Sequence, residues 1–183
     1  DQWDCTATQD MSLATLEIGG KPRKVLIQAP KNGFVYVIDR ATGELLSTGQ
    51  FADKVTWAQR IDQKTGRPGE NPSLRYHGKQ GQLELWPGVR GAHSWLPQSF
   101  SPQTGLLYIP VIEGATLIGD EGLDVANLPP ALSMGAMLDP DPDLPGARRS
   151  FLKAWDPVAQ KERWRVALPG NWPGGVLSTA GGI

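Results

Sequence analysis

The sequence predicts an all-β fold that forms part of a β-propeller, and three observations lead to this prediction. Gly and Pro are abundant, with 22 and 16 residues among 183, which favours short strands joined by turns over long helices. Runs of β-forming residues alternate with polar turns, as in residues 25–29 and 34–38. The unit of strand, polar turn and second strand recurs at irregular spacing, as expected of propeller blades that carry insertions.

One turn sequence occurs repeatedly between the predicted strands. Asp-x-x-Thr-Gly stands at residues 39–43 and again at 62–66, and Ser replaces Asp in the copy at 101–105. A degenerate copy, Asp-Pro-Val-Ala-Gln, follows Trp155 and precedes another strand-like run at 161–166. A single strand–turn–strand unit cannot bury its own faces, so we expect these units to pack against one another.

The clearest local element is the hairpin predicted around Asn32 and Gly33. Asn-Gly between two apolar runs is a strong hairpin signal, because both residues adopt positive φ at low cost. Lys31 is therefore predicted at the tip of a well-defined turn. By pattern alone it could be a solvated surface lysine or a cation aimed at a ligand, and both interpretations stay open.

Two segments interrupt the repeated units. Residues 64–91 are polar and rich in Gly and Pro, which predicts a long surface connection. Residues 113–149 contain the run Asp-Pro-Asp-Pro-Asp-Leu-Pro and predict a lid or rim loop, with a helical turn over 131–137.

Composition excludes several functional classes and leaves others open. A net charge of −1 argues against nucleic acid or an anionic membrane surface as the main partner. Cys5 is the only cysteine, so no disulfide forms within the chain and the redox compartment is not indicated. No apolar run approaches membrane-spanning length. The first residue is Asp rather than Met, and both ends look cut, so we expect a fragment of a longer protein.

Familiar catalytic signals are weak in this sequence. His77 and His93 are far apart, and neither has a second His or a Cys at metal-ligand spacing, which predicts structural or surface roles. There is no phosphate-binding Gly-rich loop and no Gly-x-Ser-x-Gly motif. Periodicity therefore leads only to a propeller of unspecified function.

Several motifs in order along the chain resemble the methanol/ethanol branch of the pyrroloquinoline quinone (PQQ) dehydrogenases. They are Trp3-Asp4, the stretches 20–24 and 29–40, Gly-Ala-His-Ser-Trp at 91–95, Ser-Phe-Ser-Pro at 99–102, Ala-Trp-Asp-Pro at 154–157, and Trp-Pro-Gly-Gly with the residues following it at 172–181. The resemblance implies an eight-bladed propeller with PQQ near its axis. Residues 1–183 would form a fragment of this propeller domain, supplying roughly three to four blades.

The resemblance also implies roles for individual residues. Asp4 is similar to the catalytic aspartate, which would remove the hydroxyl proton of an alcohol as hydride leaves the carbon. Lys31 is similar to the cation beside the quinone oxygens, where an ammonium stabilises developing negative charge. The family also uses bound Ca²⁺ as a Lewis acid, and Asp4 would supply one of its oxygen ligands.

The chain departs from the family pattern at informative positions. Lanthanide-using relatives carry Asp two residues after the catalytic one, where this chain has Thr6, which favours Ca²⁺. Ser94 stands where Asn commonly contacts PQQ, so a shorter side chain would make that contact. Trp95 and Trp172 lie in stretches that the family places near the cofactor, although packing between blades is an open alternative.

The resemblance implies an oxidoreductase that converts alcohols to aldehydes with PQQ and Ca²⁺ in the periplasm. It would pass electrons to cytochrome c or a membrane quinone, and no nucleic-acid partner is expected. The alternative from another class is a non-catalytic propeller that serves as a protein-binding scaffold. The enzyme requires Asp4 and Lys31 to converge, whereas a scaffold has no such requirement.

Overall fold

The computed structural model describes residues 2–127 and 135–182, and strands dominate both stretches. Two short 3₁₀-helices, Pro72–Leu74 and Val125–Asn127, are the helical elements among these residues. None of the described helices is long and apolar enough to cross a bilayer. The described residues form thirteen strands: β1 (Ser12–Ile18), β2 (Lys21–Gln28), β3 (Phe34–Asp39), β4 (Leu45–Gln50), β5 (Ala58–Ile61), β6 (Pro68–Glu70), β7 (Leu83–Leu85), β8 (Ser99–Ser101), β9 (Leu106–Glu113), β10 (Thr116–Gly119), β11 (Met137–Asp139), β12 (Arg149–Asp156) and β13 (Lys161–Leu168).

Two four-stranded antiparallel sheets form the main part of the structure. The first has the order β1-β2-β3-β4 and the second the order β13-β12-β9-β8. In the first sheet, consecutive strands are neighbours, and β1 and β2 pair from Ser12↔Ile27 to Ile18↔Lys21. In the second sheet, the chain leaves after β9 and returns at β12, so this sheet carries an insertion. Both sheets have the strand number and antiparallel pairing of propeller blades.

The repeated turn sequence forms one repeated structure. The amide of the final Gly donates to the carbonyl of the first residue in each copy, at 2.8 Å in 39–43, 2.8 Å in 62–66 and 2.9 Å in 101–105. The three final glycines have φ between 68° and 78°, a conformation that residues with a Cβ adopt at a cost. In the degenerate copy Gln160 takes this position with φ 50°. The prediction of a recurring turn is therefore confirmed.

The segments between β4 and β8 and between β9 and β12 form two smaller sheets. β5 and β6 make a hairpin, and β7, β10 and β11 form a three-stranded sheet with the order β11-β10-β7. Residues 64–91 are thus more than a surface connection, because Leu85, at the end of β7, and the following Trp86 are buried. The predicted lid or rim loop of 113–149 likewise contains β10 and β11.

The described residues contain two four-stranded sheets, whereas the sequence predicted roughly three to four blades. The remaining described strands, β5, β6, β7, β10 and β11, pair into the two smaller sheets and do not complete a further blade. Most of the predicted helical turn over 131–137 lies outside the described residues. Its last residue, Met137, begins β11.

The core lies between the two four-stranded sheets. Alternate residues of β2 and β3 face β9 and β12, and the buried cluster includes Val25, Ile27, Val35, Val37, Leu107, Ile109, Val111, Phe151 and Trp155. Burying one such side chain stabilises the fold by about 1.5–3 kcal/mol. The first strands of the two sheets, β1 and β8, also contact each other, as expected where neighbouring blades converge.

A charged cluster lies within the interface between the two sheets. Lys153 of β12 is fully buried, and its Nζ donates to Phe51 O at 2.8 Å and to Asp53 Oδ1 at 2.7 Å. Its Nζ also lies 3.2 Å from Glu113 Oε1. Because Asp53 follows β4 of the first sheet, Lys153 ties the two sheets together.

Candidate active site

The loop between β2 and β3 spans residues 29–33 and is wider than a two-residue turn. Gly33 has φ 92°, as predicted, but Asn32 does not have positive φ. Asn32 instead stabilises the loop through its side chain, because Oδ1 accepts from the Phe34 amide at 3.0 Å and Nδ2 donates to Tyr36 Oη at 2.7 Å. The hairpin is therefore confirmed, while the positive φ expected for Asn32 is wrong.

Every carbonyl of this loop has a hydrogen-bond partner. The carbonyl of Pro30 accepts from the Gly33 amide within the loop. The other four contact distant groups: Ala29 O with His93 Nδ1, Lys31 O with Ala92 N, Asn32 O with Trp57 Nε1, and Gly33 O with Phe51 N and Ala52 N. The loop is therefore enclosed by other parts of the chain rather than exposed at a hairpin tip.

Enclosure of the loop changes the setting of Lys31. Its side chain is only 14% exposed, so it is not the solvated turn lysine that pattern alone allowed. Gly91, with φ 81°, packs directly against the lysine, and a Cβ at this position would lie 2.6 Å from Lys31 Cβ. The absence of a side chain at Gly91 thus permits the close approach that directs the Lys31 stem.

Lys31 Nζ donates to Asp4 Oδ2 at 2.8 Å, so the structure brings the two predicted catalytic residues together. Asp4 has φ 56°, a left-handed conformation that non-glycine residues adopt at a cost and that occurs at functional sites. Trp3 holds this conformation in place, because its buried ring packs 5.6 Å from Trp57 and its Nε1 donates to Leu74 O. The Asp4 carboxylate is 29% exposed and remains accessible to a small molecule.

Asp4 faces a cleft of about 190 Å³. The cleft wall is mixed, with about as much polar as apolar surface, and it is lined by Gln2, Asp4, Tyr76, Val89, Ile118, Ala136 and Leu138. Ile118 and Leu138 come from β10 and β11, in the segment that the sequence predicted to be a loop. No sequence pattern identifies these cleft residues, because the strands are only three or four residues long.

Cys5 follows Asp4 directly but is not suited to nucleophilic chemistry. Burial raises the pKa of its thiol to about 11, although the positive charge of Lys31 acts in the opposite direction. The thiol is therefore protonated at neutral pH, and the protonated form is a poor nucleophile.

Trp95 and Trp172 also come together, with ring centroids 6.3 Å apart at an interplanar angle of 52°. They are 67% and 40% exposed, so in the described structure both present aromatic surface to solvent. Ser94 is buried beside Trp95. The Val176 amide donates to Pro97 O at 2.8 Å, which connects the segment after Trp172 to the one after Trp95.

The two histidines have the structural and surface placements predicted for them. His77 lies at the surface with Nδ1 2.9 Å from Asp120 Oδ2, and His93 is buried among backbone groups. Within residues 2–127 and 135–182, no group of three or more His, Cys, Asp or Glu side chains is arranged to hold a metal ion. Asp4 is thus a single candidate ligand and not part of a complete metal site in this segment.

Comparison with known proteins gives consistent matches. The family model described as PQQ, glucose/ethanol/alcohol dehydrogenase, β-propeller domain, matches residues 1–50. A quinohemoprotein alcohol dehydrogenase, ADH IIB, from Pseudomonas putida is 50% identical over 184 aligned residues, covering 100% of this chain and 26% of that protein. The 1-butanol dehydrogenase (cytochrome c) of Thauera butanivorans is 41% identical, with coverage of 100% and 27%.

Solved structures show the same relationship at the level of fold. The quinohemoprotein alcohol dehydrogenase from Comamonas testosteroni superposes with a TM-score of 0.87 at 38% identity, covering 99% of this chain and 28% of that one. A europium-containing methanol dehydrogenase gives a TM-score of 0.76 at 27% identity, covering 94% and 30%.

The chain has the all-β fold of the PQQ-dependent dehydrogenase propellers and covers part of such a propeller. Within that class, the resemblance to quinoprotein alcohol dehydrogenases predicted from the sequence motifs is confirmed along the whole chain. The chain spans about a quarter of the length of the curated relatives it matches, with 26% for the Pseudomonas putida enzyme.

Proposed function

We propose that the protein to which this chain belongs oxidises alcohols to aldehydes with PQQ as hydride acceptor, and that residues 1–183 form part of its propeller domain. The observation that carries this proposal is the 2.8 Å pair between Lys31 and Asp4 at a cleft that is lined in part by apolar side chains. The oxidation of a small alcohol needs a base for the hydroxyl proton and a cation for the charge that develops on the hydride acceptor. The names of the relatives support the proposal, and none supports the alternative of a non-catalytic scaffold.

The residues present suit a planar, anionic quinone. Lys31 offers a largely enclosed ammonium that can interact with quinone oxygens while it still donates to Asp4, because an ammonium has three donors. Trp95 and Trp172 offer exposed aromatic surface of the kind on which a fused ring system stacks. We assign Ser94 as a hydroxyl contact to the same cofactor. When bound, PQQ supplies the site that accepts the hydride.

In this proposal, the chain's own residues bind the alcohol and move its proton. The side chains of Val89, Ile118 and Leu138 in the cleft contact the hydrocarbon part of the substrate. The Asp4 carboxylate accepts the hydroxyl proton, and the Lys31 ammonium holds that carboxylate in position. The same ammonium stabilises negative charge that develops on the hydride acceptor.

We also assign Asp4 as one ligand of a Ca²⁺ ion. A carboxylate has two oxygens, so Asp4 can accept from Lys31 through Oδ2 and offer Oδ1 to a hard cation. The other ligands would come from parts of the protein outside this chain. Thr6 stands where lanthanide-using relatives carry a further carboxylate, which supports Ca²⁺ over a lanthanide.

The names of two relatives support an assignment of the electron acceptor. One is called a 1-butanol dehydrogenase (cytochrome c), and the other, from Komagataeibacter europaeus, is called an alcohol dehydrogenase (quinone). We infer that this protein passes electrons to cytochrome c or to a membrane quinone. A periplasmic location fits both acceptors and is part of the proposal.

The test is to reconstitute the full-length protein with PQQ and either Ca²⁺ or La³⁺ and to measure dye reduction by short alcohols. We expect turnover with Ca²⁺ and little with La³⁺. Asp4→Asn should lower turnover by at least about a hundredfold, because an amide cannot act as the base. A scaffold protein would give no alcohol-dependent dye reduction under any of these conditions.

Asp62→Asn serves as the matched control, since Asp62 is a turn residue whose Oδ1 accepts from the Lys64 and Thr65 amides. It should retain turnover. Activity that survives Asp4→Asn unchanged would contradict the assignment of Asp4 as the base.

A further inference from the structure

His93 is a fully buried residue with no place in the function proposed above. Both of its ring nitrogens face backbone carbonyl oxygens. Nδ1 lies 2.5 Å from Ala29 O, and Nε2 lies 2.6 Å from Leu96 O. A buried imidazole with two carbonyl partners has a fixed position and a fixed ring plane.

The two carbonyls belong to segments that carry predicted cofactor-binding residues. Ala29 begins the loop that holds Lys31, and Leu96 directly follows Trp95. The next residue toward the amino terminus, Ala92, donates its amide to Lys31 O at 2.9 Å. His93 thus stands between Lys31 and Trp95 and contacts the backbone on both sides.

A third segment contacts His93 by donating to the backbone carbonyl of His93. Gln9 Nε2 donates to His93 O at 3.0 Å, and Gln9 O accepts from Gln28 Nε2 at 2.9 Å. Gln9 lies between Asp4 and β1, so the stretch that carries Asp4 is joined to the same centre.

The protonation of the ring is subject to opposing influences. Burial is the largest and lowers the pKa of His93, whereas hydrogen bonding to the Ala29 and Leu96 carbonyls and the negative charge of Asp10 favour the protonated form. A protonated ring donates to both carbonyls and a neutral ring to one. In either state the imidazole occupies the space between them.

We propose that His93 is a positioning residue that couples the loop carrying Lys31 to the segment carrying Trp95, so that both meet the cofactor in one fixed arrangement. This inference rests on the proposed PQQ site. His93 itself touches neither cofactor nor substrate and acts through the loop that carries Lys31 and the segment that carries Trp95.

The test is a double-mutant cycle for PQQ binding to the full-length apoprotein in the presence of Ca²⁺, followed by tryptophan fluorescence. His93→Ala should weaken binding by about tenfold in the wild-type background, the scale expected for loss of one or two buried hydrogen bonds. In a Lys31→Ala background, the same substitution should weaken binding clearly less, by about threefold, because one of the two residues through which His93 acts is gone. His93→Gln should recover part of the affinity, since its amide can donate to a carbonyl.

A second measurement does not involve the cofactor. His93→Ala should accelerate hydrogen exchange at the Gly33 and Phe34 amides, which close the Lys31 loop internally. His77→Gln is the matched control and should change neither exchange nor affinity, because His77 pairs with Asp120 at the surface. If His93→Ala does not fold, PQQ affinity and hydrogen exchange are both measured on His93→Gln instead.

Equal loss of affinity in both backgrounds, or unchanged exchange at Gly33 and Phe34, overturns the positioning role while leaving the proposed function intact. Lys31→Ala without any effect on PQQ binding or turnover would instead contradict the role assigned to Lys31 under the proposed function, and the His93 proposal would fall with it.

Discussion

At the scale of single residues, backbone contacts determine what the Lys31 side chain can do. The loop that carries it is held at each carbonyl, and Gly91 packs against its stem. These contacts direct the ammonium to Asp4, which lies 27 residues earlier in the chain. A lysine on a mobile surface turn would have to lose conformational freedom on binding, whereas this one is already ordered.

Lys31→Ala should lower turnover by at least about a hundredfold, because it removes a preorganised cation from the site of developing charge. The thermal midpoint of the full-length protein should change little, since the ion pair is partly exposed. Steady-state kinetics and thermal unfolding check these two expectations.

Lys24→Ala, at an exposed position of β2 in the same hairpin, is the control and should leave both quantities unchanged. If Lys31→Ala lowers turnover and stability together, the lysine has a structural role instead.

At the scale of elements, the small three-stranded sheet has a function distinct from that of the two larger sheets. The larger sheets form the core, whereas β10 and β11 supply part of the cleft wall beside Asp4. Residues 88 and 89 connect β7 to this wall, because the Val89 amide donates to Thr116 Oγ1 at 3.0 Å. The insertion between β9 and β12 therefore shapes the cleft in which we propose that the substrate binds.

Val89→Phe should reduce kcat/KM for 1-butanol more than for ethanol, because a larger side chain in the cleft leaves less space for a longer alkyl chain. We expect the ratio of the two kcat/KM values to shift by about tenfold, the scale of one or two methylene groups in an apolar pocket. Val158→Phe, at an exposed turn that does not line the cleft, should not change the ratio. An unchanged ratio in Val89→Phe would exclude the cleft as the alkyl site.

At the scale of the whole described molecule, charged residues as well as apolar ones join the two main sheets. Asp53 interacts with Lys153 and with Arg165 Nη1, each at 2.7 Å. Burial disfavours the ionised form of Asp53, but hydrogen bonds from Arg165 and Lys153 lower its pKa to about 2. Burial raises the pKa of the neighbouring Glu113, so the two carboxyls differ in their response to acid.

The contribution of Asp53 to stability is present above its ordinary pKa of 3.8 and is lost as the pH falls toward 2. Asp53→Asn should therefore lower the free energy of unfolding at pH 7 by roughly 1–2 kcal/mol. At pH 2.5 the difference in free energy of unfolding between the variant and the wild type should be smaller. Denaturant unfolding of the full-length protein at both pH values checks this expectation. A gap that is the same at both pH values would show that the carboxylate charge contributes nothing.

The sequence predicted the parts of this structure that depend on local chemistry. Turns such as 39–43 were predictable because they end in Gly, which adopts the positive φ that the turn requires. The hairpin at Asn32-Gly33 was predictable from the β-rich runs on either side of it. Asp4 and Lys31 were assigned through family resemblance, because nothing local indicates that residues 27 positions apart are in contact. The cleft residues and the role of His93 depend on tertiary contacts without a local pattern. Short strands such as β10 and β11 carry too few residues for periodicity to be recognised.

The enclosure of the loop at 29–33 has a consequence for how the protein folds. The hydrogen-bond partners of its carbonyls are distant in sequence, and Ala29 and His93 are separated by 64 residues. Contacts of such long sequence separation form slowly, because chain entropy must be lost before they provide any stabilisation. The Lys31 loop can reach its final conformation only after Phe51, Trp57 and His93 have reached their native positions. We therefore expect the site to form late in folding. A newly made chain would therefore acquire its sheets before it acquires a competent cofactor site.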